Sequence, residues 1–460
     1  MEAESETPST GLHERSSSST SSDKSSLLVV VRERTARSGA GRFLTLDTRK
    51  SATPRGSPPP GSPGSALQSA SDRVSSQLVW AVESGLRGGD VPDLCVKTPW
   101  IHLVPPRLTQ SSVLCDAVSL LLATVSNCRR RLPFDAELDR RAYVRCMASL
   151  RSALMRPEEA LRMETLTAVL LLTKIEYDHE KSRNPNQAAH SQGLRALLVA
   201  RGPPPPSDPF AVRIYFDSIG ELLVQFLVNR EDNFFARPEW LDAMEAAVRA
   251  CRDRDGRRQT SYRLDLLMIR WPNFAAQLRR ARNDAANQTD VLTELMFSIQ
   301  SVRQDLAAFE AEAIEPLWRN GTIWEMPGAA DICGKALGFA DWWACQVFVG
   351  HAMANLAVCR MLCAAMDLLG LPTVEPGHAC REMSERIWRS LRYAEALPRE
   401  KRDYFIAPLT LSFESAGGTG RQWLLSKMVQ IAGPRVRFLD AEPERLILDL
   451  GMELTGRGAT

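Results

Sequence analysis

Residues 161–240 read LRMETLTAVLLLTKIEYDHEKSRNPNQAAHSQGLRALLVARGPPPPSDPFAVRIYFDSIGELLVQFLVNREDNFFARPEW. Leu161, Leu166, Val169, Leu170, Leu172 and Ile175 recur mostly on one side of a 3.6-residue spiral, which predicts a helix ending near Ile175-Glu176. Asn186 to Ala200 follows as a second helix. Gly202 and the run Pro203 to Pro206 end it, because proline removes the amide donor and clashes with the preceding turn. Asp208 restarts the chain into a third helix bearing Phe210, Ile214, Ile219, Leu222, Leu223 and Phe226, and Arg237-Pro238-Glu239-Trp240 closes the series. Helix, turn, helix, turn, helix is the grammar of an all-α protein.

The flanks follow the same pattern. Val113 to Cys128 is a strongly apolar helix, closed by the cations Arg129-Arg130-Arg131 at its negative end and stopped by Pro133. Asp135 is expected to N-cap a helix to Met155 carrying Leu138, Ala142, Val144, Met147 and Leu150, and Pro157-Glu158-Glu159 to open the helix through Leu161. Amphipathic stretches cover 238–252, 262–281, 289–318, 335–369 and 378–397, with no sustained strand alternation and no solenoid period. Residues 1–70, dominated by Ser, Pro, Gly and Arg, lack the apolar side chains to offset ordering entropy and are expected to form a disordered arm. The expected fold is therefore all-α: one large helical domain over 71–460 behind that arm.

Composition narrows the classes. With 460 residues, 44% apolar and 24% charged, the chain can bury a large core, and a net charge of +2 gives no overall attraction to nucleic acid or anionic lipid. The apolar run Leu27 to Val31 is too short for a signal-peptide core. Trp342 to Cys359 carries no charge, but Gln346, His351 and Asn355 interrupt it, so a buried core helix is expected and no membrane contact. The ten cysteines are scattered without a Cys-x-x-Cys, which fits reduced, packed thiols. Cys359 and Cys363 lie one helical turn apart, yet two thiolates alone do not close a zinc site.

No residue group announces catalysis. Asp178-His179-Glu180 places three ionisable side chains in a row, but consecutive helical positions point different ways, so a polar helix end is expected. His190 and His351 sit among apolar neighbours and are expected to be hydrogen-bonded core histidines. Gly417-Gly418-Thr419-Gly420 has neither a preceding strand nor a following Lys-Ser/Thr, which favours a flexible loop over a phosphate cradle. Arg252, Arg254, Arg257 and Arg258, interleaved with Asp253 and Asp255 around Gly256, read as a solvated turn. Asp440 to Leu454 has the composition of an acidic-hydrophobic activation segment or of a last helix docked on the core, and its clustered apolar residues favour docking. The magnesium motifs of isoprenoid cyclases are missing: there is no Asp-Asp dipeptide, and Asn283-Asp284 is followed by Asn287 and Val291 where Ser and Glu would stand. No enzyme activity and no cofactor are expected.

The order of elements from about Ser111 to Gly433 resembles the middle regulatory domain of fungal transcription factors whose other half is a six-cysteine binuclear zinc cluster. The resemblance rests on the apolar helix to Ile175-Glu176, the His190 helix running into Arg201-Gly202-Pro203, and Arg237-Pro238-Glu239-Trp240. Near the far end it rests on Ile387-Trp388-Arg389-Ser390-Leu391-Arg392-Tyr393, Ala407-Pro408-Leu409 and Arg421-Gln422-Trp423. It implies a nuclear transcriptional regulator, of a metabolic or secondary-metabolite gene cluster. No cysteine precedes Cys95, so the family's zinc reader is not built here, and DNA is expected to be reached indirectly or weakly, through protein partners such as a DNA-binding factor. An upstream exon encoding the cluster, or a cytosolic adaptor that keeps only the fold, are the alternatives. The breaker-rich Pro54 to Gly64 closes the family's coiled-coil route to dimers and leaves pairing through the helical domain. The one local basic excess is Arg32, Arg34, Arg37, Arg42, Arg49, Lys50 and Arg55, against Glu33 and Asp47. It is a candidate for nuclear import or salt-sensitive phosphate contact, with a solvated linker as the plainer reading.

Overall fold

The computed structural model describes residues 69–86, 93–179, 185–229, 233–283, 289–327, 332–432 and 442–458. Apart from two short strands, the regular elements there are helical, so the protein is all-α. The basic and serine-rich arm lies outside the described residues except for its last two positions, where the Ser69 hydroxyl accepts from the Asp72 amide at 3.1 Å and caps the first helix, Ala70–Leu86.

Buried apolar side chains gather into two clusters. The first is fed by Ala70–Leu86, Ser112–Arg129, Arg140–Leu154, Met163–His179, the Pro185–Arg201 helix through Leu194 and Leu198, and Pro238–Ala250. The second surrounds the Trp342–Leu368 helix, with Trp271–Asn283, Thr289–Phe309, Val374–Arg389, Gly418–Ala432 and Pro443–Leu454 packed about it. Two helices belong to both. Pro209–Asn229 sends Phe210 to Phe226 into the first cluster and Leu227 and Val228 into the second, and Arg257–Ile269 divides Tyr262 and Ile269 from Leu264 in the same way. The uncharged Trp342–Leu368 helix is a core helix: 89% of its most apolar stretch is buried, and Asp341 caps it by accepting from the Ala344 amide at 2.9 Å.

Several boundaries differ from the sequence expectation, each for a local reason. Asp139, not Asp135, caps the Arg140–Leu154 helix, accepting from the Ala142 amide at 2.8 Å, because a separate turn, Phe134–Glu137, takes up the chain after Pro133. The buried stripe then runs Ala142, Cys146, Leu150, Ala153, while Val144 faces solvent. Pro157 opens only the turn Pro157–Ala160, and the apolar helix begins afresh at Met163, leaving Leu161 exposed. The stretch 262–281 is two helices that break at Arg270, since Pro272 fits only the first turn of a new one. Thr289–Phe309 passes through a π-helical turn, Glu310–Ile314, before Glu315–Arg319.

The larger departure is a hairpin. Ile323–Pro327 (β1) and Lys335–Phe339 (β2) pair antiparallel, with Trp324 opposite Gly338, so residues 335–339 are strand and not the start of the helix. A Cβ on Gly338 would stand 2.3 Å from the Trp324 ring, so glycine at this position leaves the indole room to lie over the facing strand. The C-terminal segment docks as a helix. Pro443–Leu454 buries Ile447, Leu450 and Leu454, the Trp271 indole donates to Leu454 O at 2.8 Å, and Arg279 donates to Glu453 O at 2.9 Å.

Candidate functional site

The sequence signals quoted between Ile175 and Trp240 lie in the first cluster, whereas those from Ile387 to Trp423 pack in the second. Glu176, fully buried, accepts from the Tyr143 hydroxyl at 2.7 Å through one carboxylate oxygen and pairs with His190 Nδ1 at 2.8 Å through the other. Three helices are tied by one carboxylate, which is how a buried charge is kept at tolerable cost. At the end of the next helix, Gly202 O accepts from the Tyr215 hydroxyl at 2.9 Å, and Tyr215 stacks on Trp240 at 5.9 Å. Trp240 meets Phe234 and Phe235 edge-on at 4.7 and 5.5 Å. His190 and His351 are both hydrogen-bonded and buried; His351 Nε2 lies 3.0 Å from Leu306 O and its ring stacks on Phe309, and burial lowers its pKa while nearby Glu310 opposes that.

Beside this core lies a cavity of about 250 Å³ between the Ser112–Arg129 and Met163–His179 helices, the turn Leu94–Lys97 and the segment from Arg399 to Asp403. One flank is apolar, with Leu121, Val125, Leu171 and Ile175, and the other is charged. Lys97 bridges Asp178 at 2.6 Å and Asp403 at 3.4 Å, linking a helix of the first cluster to the segment that leads into Phe405 of the second. Burial pushes the Asp403 carboxyl up, and Asp178 adds to the push while Lys97 opposes it. On the cavity wall Lys174 pairs with Asp217 at 3.2 Å and Glu221 at 2.8 Å, and Asp217 also accepts from the Trp100 indole at 2.6 Å. Burial works against the Lys174 charge, but these two carboxylates outweigh it and raise the ammonium's pKa. Arg399 reaches the same cavity with Nε and Nη2 buried and without a hydrogen-bond partner.

At the far end of the cavity His179 Nδ1 stands 2.8 Å from Glu137 Oε2 and 3.9 Å from Cys128 Sγ. Among the described residues this is the one group of three or more His, Cys, Asp or Glu side chains whose ligand atoms all lie within 4.8 Å of one another. His179 is therefore more than the polar helix end expected from Asp178-His179-Glu180. No spacing rule could have joined it to Cys128 and Glu137, 51 and 42 residues away.

The other expected features fall as follows. Arg32, Arg34, Arg37, Arg42, Arg49, Lys50 and Arg55 all lie outside the described residues. Cys359 and Cys363 have Cys380 of Val374–Arg389 as a close thiol neighbour, and the Cys359 thiol donates to Asn355 Oδ1 at 3.3 Å. Gly418 starts a helix instead of lying in a flexible loop, and Gly417, Thr419 and Gly420 line an open groove of about 790 Å³ beside the hairpin, with Lys335, Glu325 and Arg389 opposite. The Arg252–Arg258 turn is solvated only in part. Arg257 pairs with Asp341 at 2.7 Å and lies over the Trp343 ring at 4.8 Å, because Gly256 turns it back onto the second lobe. Comparison with models of known families, with curated proteins and with solved structures found no match for this chain.

Proposed function

We propose that the chain is a transcriptional regulator of the fungal middle-domain type, acting in the nucleus on a metabolic or secondary-metabolite gene cluster. Its helical scaffold works through protein partners, a DNA-binding factor among them, and reaches DNA indirectly or weakly through the basic arm at 32–55. What supports this reading is that signals of the resemblance far apart in sequence are held by specific contacts in the first cluster: Glu176 binds His190, and Gly202 binds Tyr215, which stacks on Trp240. A helix order alone arises in many all-α chains, whereas these residues account for one another.

The scaffold's work is binding. The cavity lined by Ile175 and Asp178 has an apolar flank and a charged flank on which Lys97 bridges Asp178 and Asp403, the make-up of a small-molecule pocket whose occupant would alter how the two clusters are held together. No catalytic residue is assigned. The test is transcript profiling of a deletion strain beside chromatin immunoprecipitation of the tagged protein under one growth condition. Loss of a coherent gene cluster with occupancy at its promoters is the expected result. Unchanged transcripts with no occupancy would refute the proposal and leave a cytosolic adaptor that keeps the fold.

A further inference from the structure

We propose that Cys128, Glu137 and His179 form a zinc site whose fourth position opens onto the interlobe cavity. Thiolate sulfur, imidazole nitrogen and carboxylate oxygen are the donors zinc takes, and three protein ligands with one open position is a usual arrangement where the ion also meets a small molecule or water. Tetrahedral coordination at ordinary zinc–ligand lengths separates sulfur from nitrogen by about 3.6 Å and nitrogen from oxygen by about 3.3 Å. The measured separations are 3.9 Å for Cys128 Sγ to His179 Nδ1 and 2.8 Å for His179 Nδ1 to Glu137 Oε2. Adjustments of roughly half an ångström bring these two pairs to ligand spacing, and the Cys128 and Glu137 ligand atoms also lie within 4.8 Å of one another.

Placement argues the same way. Cys128 stands in the last turn of Ser112–Arg129, Glu137 ends the turn Phe134–Glu137, and His179 ends Met163–His179, so the ion would bind where three segments stop. Asn127 already ties two of them, its side-chain amide donating to Glu137 O at 3.1 Å. All three ligand residues border the cavity, as does Arg399 with its two buried, unpartnered nitrogens. A ligand carboxylate placed there would meet the ion on one side and the guanidinium on the other. One thiolate and one carboxylate also balance the charge of a divalent cation, leaving the site neutral. A His–Glu pair serving only to clamp two helix ends would need neither the thiol nor the opening.

The full chain, freed of metal with a chelator, is titrated with zinc against a fluorescent chelating indicator. The expected result is one zinc per chain, with affinity reduced by about 100-fold or more in Cys128→Ser, Glu137→Gln and His179→Asn. His179→Cys exchanges one zinc ligand for another and retains binding, which separates lost ligation from lost folding. Cobalt(II) added to the unaltered chain is expected to give a thiolate-to-cobalt charge-transfer band that vanishes in Cys128→Ser and persists in Cys380→Ser. Failure of the unaltered chain to bind zinc stoichiometrically, or a cobalt band that survives Cys128→Ser and is lost in Cys380→Ser, would overturn the assignment.

Discussion

Replacing Gly456 by alanine should unfasten the C-terminal segment from the second lobe. Gly456 has φ +70°, and an added Cβ would lie 2.3 Å from Ala275 O, 2.8 Å from its Cα and 2.9 Å from its C, all backbone atoms that cannot swing aside. Holding alanine in the left-handed region costs about 1–2 kcal/mol by itself. Relieving the overlap means lifting residues 453–457, which puts at risk the Trp271 indole bond to Leu454 O at 2.8 Å, the Arg279 bond to Glu453 O at 2.9 Å and the Arg457–Glu414 pair at 2.5 Å. Losing two such bonds, one of them charge-assisted, adds about 2–4 kcal/mol, for a total of about 3–6 kcal/mol. Gly370→Ala is the matched control, with φ +69° and open space around the added Cβ, so it carries the strain alone, about 1–2 kcal/mol. Urea unfolding followed by circular dichroism, read at the first transition, gives both numbers. Equal losses in the two variants would refute the steric argument and mean that the tail does not rest on Ala275.

Burial pushes the Asp265 carboxyl up to about 7, with Asp217 adding to it. The folded state thus holds a proton that the unfolded state releases above about pH 4, and stability falls as pH rises from there to 7. Asp265→Asn should therefore stabilise the protein at pH 8 by up to about 4 kcal/mol and give no advantage at pH 4; a pH-independent effect in thermal melts would count against it. Glu176→Ala removes the acceptor of the Tyr143 hydroxyl bond and the carboxylate beside buried His190 Nδ1 and should cost about 3–5 kcal/mol, whereas a loss below about 1 kcal/mol would mean that this carboxylate is not holding the helices. Lys97→Met leaves Asp178 facing Asp403, and should cost about 1–2 kcal/mol at pH 7.5. Because the Asp403 pKa is raised, that loss should shrink as the pH falls toward 4, and a deficit that grows on acidification would refute it.

Long apolar periods were legible because a helix that buries one face repeats its signal over several turns; Leu166 to Ile175 and Phe210 to Phe226 occupy the core as their spacing implied. Short elements gave too few repeats. A five-residue strand such as Lys335–Phe339 offers two or three alternations, and Gly338 interrupts them to admit Trp324 from the partner strand. Asp135 was the expected cap because it closely follows Pro133, but the turn Phe134–Glu137 takes up that stretch and the capping role passes to Asp139. The helix end at Cys128 was placed from sequence, but the second helix runs to His179 rather than ending near Ile175-Glu176, and the approach of Cys128, Glu137 and His179 depends on how three segments pack, which no linear spacing encodes.

The division of Pro209–Asn229 and Arg257–Ile269 between the two cores bears on how the protein can be taken apart. A fragment ending near 230 removes Phe234, Phe235, Trp240 and Met244 from the first cluster and strips Leu227 and Val228 of their cover, and one starting near 235 leaves Tyr262 and Ile269 bare. Either exposes contiguous apolar surface, the condition for chaperone capture and aggregation. Deletion series scored by reporter or two-hybrid signal would then register fragment misfolding as loss of function. Point substitutions on the surface are the sounder way to map what this scaffold binds.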